Sequence, residues 1–244
     1  MAGMMIFGIT MKGGTVKAMF DFEGLNIAIT LLGAPTSIYG IIDLACKVYQ
    51  KWQMKRNKSV VFGSKTSWTI VVPQYQGNYR RIEDTIASEL IYNHCTRLGL
   101  SCKIQDDKMP ISNKENVIII CGPKANAIFK NLYKGHKLEL LDGESCIQDN
   151  KWGTKYSSHL EDINNRGDYA ILARSVDPDT KRRCIFCAGI HGLGTIGAAQ
   201  MLTQHRLSRY IKKDDNYESV VSVQAADDYF SIGKLEFAIE PRKG

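Results

Sequence analysis

The chain has 244 residues, 44% of them hydrophobic and 23% charged, with a formal net charge of +7. This composition excludes a disordered or collagen-like chain, and the length suits one large domain or a domain with an appendage. The positive balance favours anionic partners such as nucleotides, nucleic acid or an acidic membrane face, and it suits equally well a basic surface kept for solubility.

In chain order, residues 4–22 read as a hairpin around Gly13 and Gly14. The stretch Leu25–Ile42 carries no charge and is followed by Asp43, Lys47, Lys51, Lys55, Arg56 and Lys58. It approaches the roughly 20 apolar residues that a membrane helix needs, and its basic flank would keep the rest of the chain in the cytoplasm. The competing expectation is a strand over Leu25–Leu32, then a helix from Pro35 to about Trp52 with Ile38, Ile41, Ile42, Ala45, Val48 and Trp52 on its apolar face. Residues 53–66 are basic and polar and read as a linker or as a solvated helix end. The chain is thus expected to divide into residues 1–58, a hairpin and an apolar segment, and residues 59–244, an α/β domain.

That second domain should open with a buried strand, Trp68–Pro73, and an amphipathic helix, Ile82–Leu98, stopped by Gly99. Ser101–Gln105 is a short strand. Asn116–Cys121 is apolar on both faces, as a strand inside a parallel sheet must be. A helix to about Tyr133 and a strand near His136–Leu141 follow. Residues 143–166 are polar, longer than an ordinary connection, and read as an excursion near a site or a segment ordered elsewhere. Asp168–Val176 and Arg183–Ala188 should form an antiparallel pair. A helix should then run to about Tyr210, and Glu218–Ala225 and Lys234–Glu240 alternate as two more strands.

The seven cysteines are odd in number, and most lie in apolar runs. Free thiols in a reducing compartment are therefore expected, rather than a disulfide framework. Cys184 and Cys187 make a C-x-x-C on a strand, where residues i and i+3 point to opposite faces, so no metal site is expected there. Met1–Thr10 lacks the basic start and cleavage site of a secretory signal. Localisation is expected in the cytoplasm or on the cytoplasmic face of a membrane.

The most informative stretch is Arg183–Leu202, an apolar strand followed by a glycine turn and a helix, with Gly192, Gly194 and Gly197 in G-x-G-x-x-G spacing. In this arrangement the helix start offers unpaired N–H groups to an anion, and the glycines let the backbone approach it. Over these 20 or so residues the chain resembles the Rossmann dinucleotide-binding family. The resemblance implies a Rossmann-like three-layer α/β domain with a mixed, centrally parallel sheet, and a nucleotide or NAD as ligand. The chain departs from the family in two ways: the motif lies late, and none of Asp214, Asp215, Asp227 and Asp228 stands where the ribose-binding acid belongs.

Two more loops should reach the same sheet edge: Gly122-Pro123-Lys124 after one central strand, and the loop after Pro73 with Tyr75, Tyr79, Arg80 and Arg81. Tyrosines can stack a base, and lysine and arginine can hold phosphate. The candidate ligand-binding residues are therefore Tyr75, Arg80, Arg81, Gly122, Lys124, His191, Gly192, Gly194, Thr195 and Gly197. Catalytic groups are not identified. His191 suits an acid, a base or a loop hydrogen bond, Asp168 and Arg174 suit site groups or a surface pair, and Glu83, Asp84 and Glu89 suit the dipole of their helix.

The leading functional expectation is a sensor or effector module for a nucleotide or nucleotide-derived ligand. An NAD(P)-dependent or NAD-consuming enzyme, and a structural protein whose glycines serve only packing, are the alternatives. The expected partners are an anionic small molecule, a membrane surface met through residues 25–48, and further copies of the chain. Nucleic acid is not expected, because no helix-turn-helix, zinc finger or RNA-recognition motif is present.

Overall fold

The computed structural model describes residues 15–22, 25–32, 38–63, 67–75, 80–113, 115–122, 124–133, 137–141, 146–162, 166–176, 182–204, 207–212, 216–226 and 232–243. The chain divides into two compact units, Met1–Lys51 and Trp52–Gly244.

In the first unit β1 (Thr15–Phe22) pairs antiparallel with β2 (Leu25–Leu32), from Thr15 opposite Leu32 to Phe22 opposite Leu25. The hairpin expected around Gly13 and Gly14 has its first strand and its turn outside the described residues. Its second strand, β1, pairs forward with β2. The apolar stretch 25–42 therefore begins as a strand, and among the described residues no helix is long and apolar enough to cross a membrane.

Helix α1 runs Ile38–Asn57, and a π-helical turn continues it over Lys58–Phe62. Of the two readings of 53–66, the linker is thus corrected in favour of a helix end, since its first ten residues are helical. Val61 and Phe62 are fully buried, and Phe62 meets Trp68 edge-on with ring centroids 5.5 Å apart. Carbonyls left open by the wide turn are taken up by a buried arginine: Arg174 donates to Val60 O at 2.5 Å and to Val61 O at 3.1 Å.

The second unit is built on a seven-stranded mixed sheet. Its strands are β3 (Ser67–Val72), β4 (Ser101–Asp106), β5 (Asn116–Ile120), β9 (Gly167–Val176), β10 (Arg183–Gly189), β11 (Tyr217–Ala225) and β12 (Ile232–Lys243). Their order is β12-β11-β9-β10-β5-β3-β4. β10, β5, β3 and β4 are mutually parallel, whereas β9 lies antiparallel between β10 and β11.

β5 explains the layering. Ile118 and Ile120 pack on one face with Ile91 of α2 (Ile82–Arg97) and Ala198 and Leu202 of α4 (Gly192–Thr203). Val117 and Ile119 pack on the other with Phe129 of α3 (Ala127–Leu132). The fold is therefore α/β, with helices flanking a mixed sheet. The second face is shared with a small antiparallel sheet of β6 (Leu138–Leu141), β7 (Cys146–Asp149) and β8 (Thr154–Ser157). Part of the polar stretch expected as an excursion is thus sheet. It is tied to the main body where Arg242 meets Asp149 at 2.8 Å and Glu218 accepts from Lys137 N and Leu138 N. The helix expected to reach Tyr210 stops at Thr203, and a separate short helix α5 covers Leu207–Tyr210.

The topology sets up one sheet edge. β3, β5 and β10 all end there, and because β9 runs the other way, its first residues lie beside the last residues of β10, with Ala170 opposite Gly189. Open α/β sheets bind ligands at such an edge.

Candidate functional site

Two groups of side chains occupy this edge. The first surrounds the glycine turn. Helix α4 begins at Gly192 with His191 as its N-cap residue, and the His191 side chain makes no capping hydrogen bond. The cap comes from another strand. Asp168, second residue of β9, accepts from Gly194 N at 2.7 Å and His191 N at 3.1 Å through Oδ2, and from Tyr169 N at 2.9 Å through Oδ1. In a capping box the N-cap side chain and the third helical residue satisfy each other's amides. Here one carboxylate does both jobs. Two of the amides that the glycine motif would offer to a phosphate thus donate to the chain's own anion. Asp168 is fully buried, and burial raises its carboxyl above the usual range against the pull of these amides.

The glycines make this approach possible. A Cβ on Gly194 would stand 2.5 Å from the Tyr169 carbonyl oxygen and 2.8 Å from Asp168 Oδ2. On Gly192 it would run into the Glu83 side chain, and on Gly197 into Val223 of β11, one turn inside the helix and away from the edge. Thr195 Oγ1 accepts from Gly189 N at 3.2 Å and lies 3.3 Å from the His191 carbonyl, to which it donates. His191 itself is exposed. Gly194→Ala is expected to lower stability by about 1–3 kcal/mol, because backbone atoms rather than a flexible side chain must move. Urea unfolding measures that loss, and wild-type stability would show that the close approach is not needed.

The second group lies where β3 and β5 end. Tyr75 donates through its hydroxyl to Asp84 Oδ2 at 3.1 Å, and the same oxygen lies 3.8 Å from Cys121 Sγ. Asp84 is only 1% exposed although it belongs to the first turn of α2. Cys121 is the residue after β5. Its φ of 73° makes it the one non-glycine residue with positive φ among the described residues. That conformation is costly for a side chain with a Cβ and concentrates at functional sites. Burial raises the Asp84 carboxyl, and burial together with the Asp84 charge pushes the Cys121 thiol up to about 12. Burial likewise holds the Tyr75 hydroxyl protonated.

The other expected residues sort around this cluster. The Arg81 guanidinium lies over the Tyr75 ring, 4.6 Å from its centroid. Arg80 turns to the end of β4, where it forms an ion pair with Asp106 at 2.6 Å. Gly122 is buried beside Leu140, and Lys124 is exposed. Tyr79 and Pro123 lie outside the described residues, as do Asp214, Asp215, Asp227 and Asp228. The start of α2 joins the two groups, since Glu83 lies against Gly192 while Asp84 lies against Tyr75 and Cys121.

Sequence reasoning overlooked Cys121 and gave Asp84 only a dipole role. One signal was present for Asp84: with Ala87, Ser88, Ile91 and Cys95 it falls on the buried stripe of α2. The surface pair considered for Asp168 and Arg174 is corrected, because both are fully buried and each has its own partners. Cys184 and Cys187 face opposite sides of the sheet, one in each core cluster. None of the seven cysteines forms a disulfide, and among the described residues no three His, Cys, Asp or Glu side chains are grouped to hold a metal. No protein-family model matches the chain, and no curated protein matches it.

Proposed function

We propose that the second unit is a binding module for a nucleotide or nucleotide-derived anion, taken up where β3, β5 and β10 end. What supports the reading is Arg81 held over Tyr75 at the end of β3, with exposed Lys124 just beyond the end of β5. An arginine and a lysine supply phosphate contacts, and the tyrosine and guanidinium planes supply a stacking surface. The anion sits on these side chains rather than on the glycine-turn amides, which Asp168 occupies. The finer Rossmann-like assignment of the domain, and a sensor or effector role, belong to this same proposal.

The test is thermal unfolding with a panel of ATP, NAD and cyclic nucleotides. A true ligand at 100 times its dissociation constant should add about 2.7 kcal/mol, and Arg81→Ala should abolish the gain. A flat response across the panel overturns the proposal. It would leave the reading in which the glycines serve packing alone, which the Asp168 cap favours.

A further inference from the structure

We propose that Cys121 is a nucleophile, with Asp84 as its proton acceptor and Tyr75 as a proton donor, and that it adds reversibly to the carbonyl carbon of a small anionic aldehyde or 2-oxo acid. The anionic part of the inference rests on the ligand reading given above. The nucleophile rests on its own geometry.

Three observations carry it. The thiol stands directly after a central parallel strand, on a left-handed backbone position that a non-glycine residue adopts only under local constraint. Cys121 is partly accessible, as Cys102 is, while Cys95, Cys146, Cys184 and Cys187 are buried. The thiol, a buried carboxylate and a phenol also form one network: Tyr75 Oη is 3.1 Å from Asp84 and 3.8 Å from Cys121 Sγ. A nucleophile beside a base, with the base held by a third group, is the arrangement covalent catalysis uses. Finally, Arg81 over the Tyr75 ring puts a fixed positive charge at the same place.

The step balances without a co-reactant. The Cys121 S–H proton passes to the Asp84 carboxylate. The sulfur lone pair forms the S–C bond while the carbonyl π pair moves to oxygen. That oxygen takes the Tyr75 hydroxyl proton, and the phenolate regains a proton from Asp84. The product is a hemithioacetal or hemithioketal, and the reverse step regenerates the thiol. The reactive form is a thiolate beside a protonated Asp84. It holds the same number of protons as the resting pair, so its population does not change with pH between the two titrations.

That invariance is the test. Iodoacetamide labelling of the folded full chain is followed by peptide mass mapping, so that each cysteine reports its own rate. Between about pH 6.5 and 8 the rate at added glutathione should rise about tenfold per pH unit, as for a thiol that must lose its proton to solvent, while the rate at Cys121 should stay flat. Asp84→Asn should give Cys121 the slope of glutathione. Tyr75→Phe should keep the flat profile but weaken protection by glyoxylate, an anionic aldehyde that should slow labelling at Cys121 at concentrations that leave Cys46 unprotected. Folding of each variant is checked by circular dichroism, and the wild-type slope decides the matter if Asp84→Asn does not fold. The proposal is overturned if folded wild-type protein shows no labelling at Cys121, or if Cys121 has the slope of glutathione. A flat slope without glyoxylate protection overturns the carbonyl substrate. Because labelling needs no bound nucleotide, a flat thermal-shift panel leaves a positive result standing.

Discussion

Asp168→Ala is expected to lower stability by about 2–3 kcal/mol, and formate is expected to restore part of the loss. The mutation strips Gly194 N and His191 N of their acceptor at a helix start, where the Gly194 bond is buried. It also empties a space shaped for a carboxylate. A free formate ion fits that space and meets the positive end of α4, so urea midpoints in formate and in chloride at equal ionic strength should differ for the variant and agree for the wild type. Equal midpoints for the variant in the two salts would mean that the amides have found other partners and that Asp168 is not their cap.

The second large effect is expected for Arg242→Ala, at about 3–5 kcal/mol, because it leaves two carboxylates without their cation. Arg242 bonds Asp149 at 2.8 Å and lies 4.0 Å from Glu218, and both acids are almost fully buried. The pH dependence separates this role from lost packing. The bond to Arg242 holds the Asp149 carboxyl below its usual value. A folded-state value below the unfolded one means stability that is present above the unfolded value and lost as pH falls through the folded value. Wild-type protein should therefore lose this contribution in acid, whereas Arg242→Ala should show a smaller drop over the same range. Asp168 and Asp84 act in the opposite sense. Burial raises both, so at neutral pH the ionised form of each favours folding less than its protonated form would, and that part is regained as pH falls. Unfolding free energies across an acid series check the slopes, and parallel curves for wild type and variant would remove the ion pair from the account.

The main sheet was largely legible because its strands carry their own signals. Asn116–Ile120 is apolar on both faces, which only a covered strand tolerates, and β9 and β10 could be paired from their lengths and the turn between them. β7 and β8 were not legible. They have four residues each, too few to show a period, and Thr154–Ser157 is mostly exposed. The π-helical turn was hidden for another reason: Lys58 and Ser59 look solvated, and its carbonyls are reached by Arg174 and Arg183, which lie far away in sequence, while Val61 and Phe62 join the core.

The placement of the candidate residues at one sheet edge was legible, their contacts less so. Strand ends placed Tyr75, Arg81, Lys124 and His191 near one edge, as period and order allow. Spacing could not tell that Asp168 would fill the glycine turn: the antiparallel pairing of β9 with β10 was legible, but the register that sets Ala170 opposite Gly189 and brings Asp168 to the turn was not. Nor could it show that Cys121 adopts a left-handed backbone, since no residue type there demands it.

The antiparallel placement of β9 has one more effect. A carboxylate tied to the sheet reaches its amides without the translational loss that a dissolved anion must bear, so its effective concentration there far exceeds that of any cellular phosphate. The glycine turn behaves as a closed joint, insensitive to the ionic makeup of its surroundings. An anion reaching this edge would then meet the side chains of the loops around the joint, Arg81 and Lys124 among them, rather than the two amides that Asp168 fills.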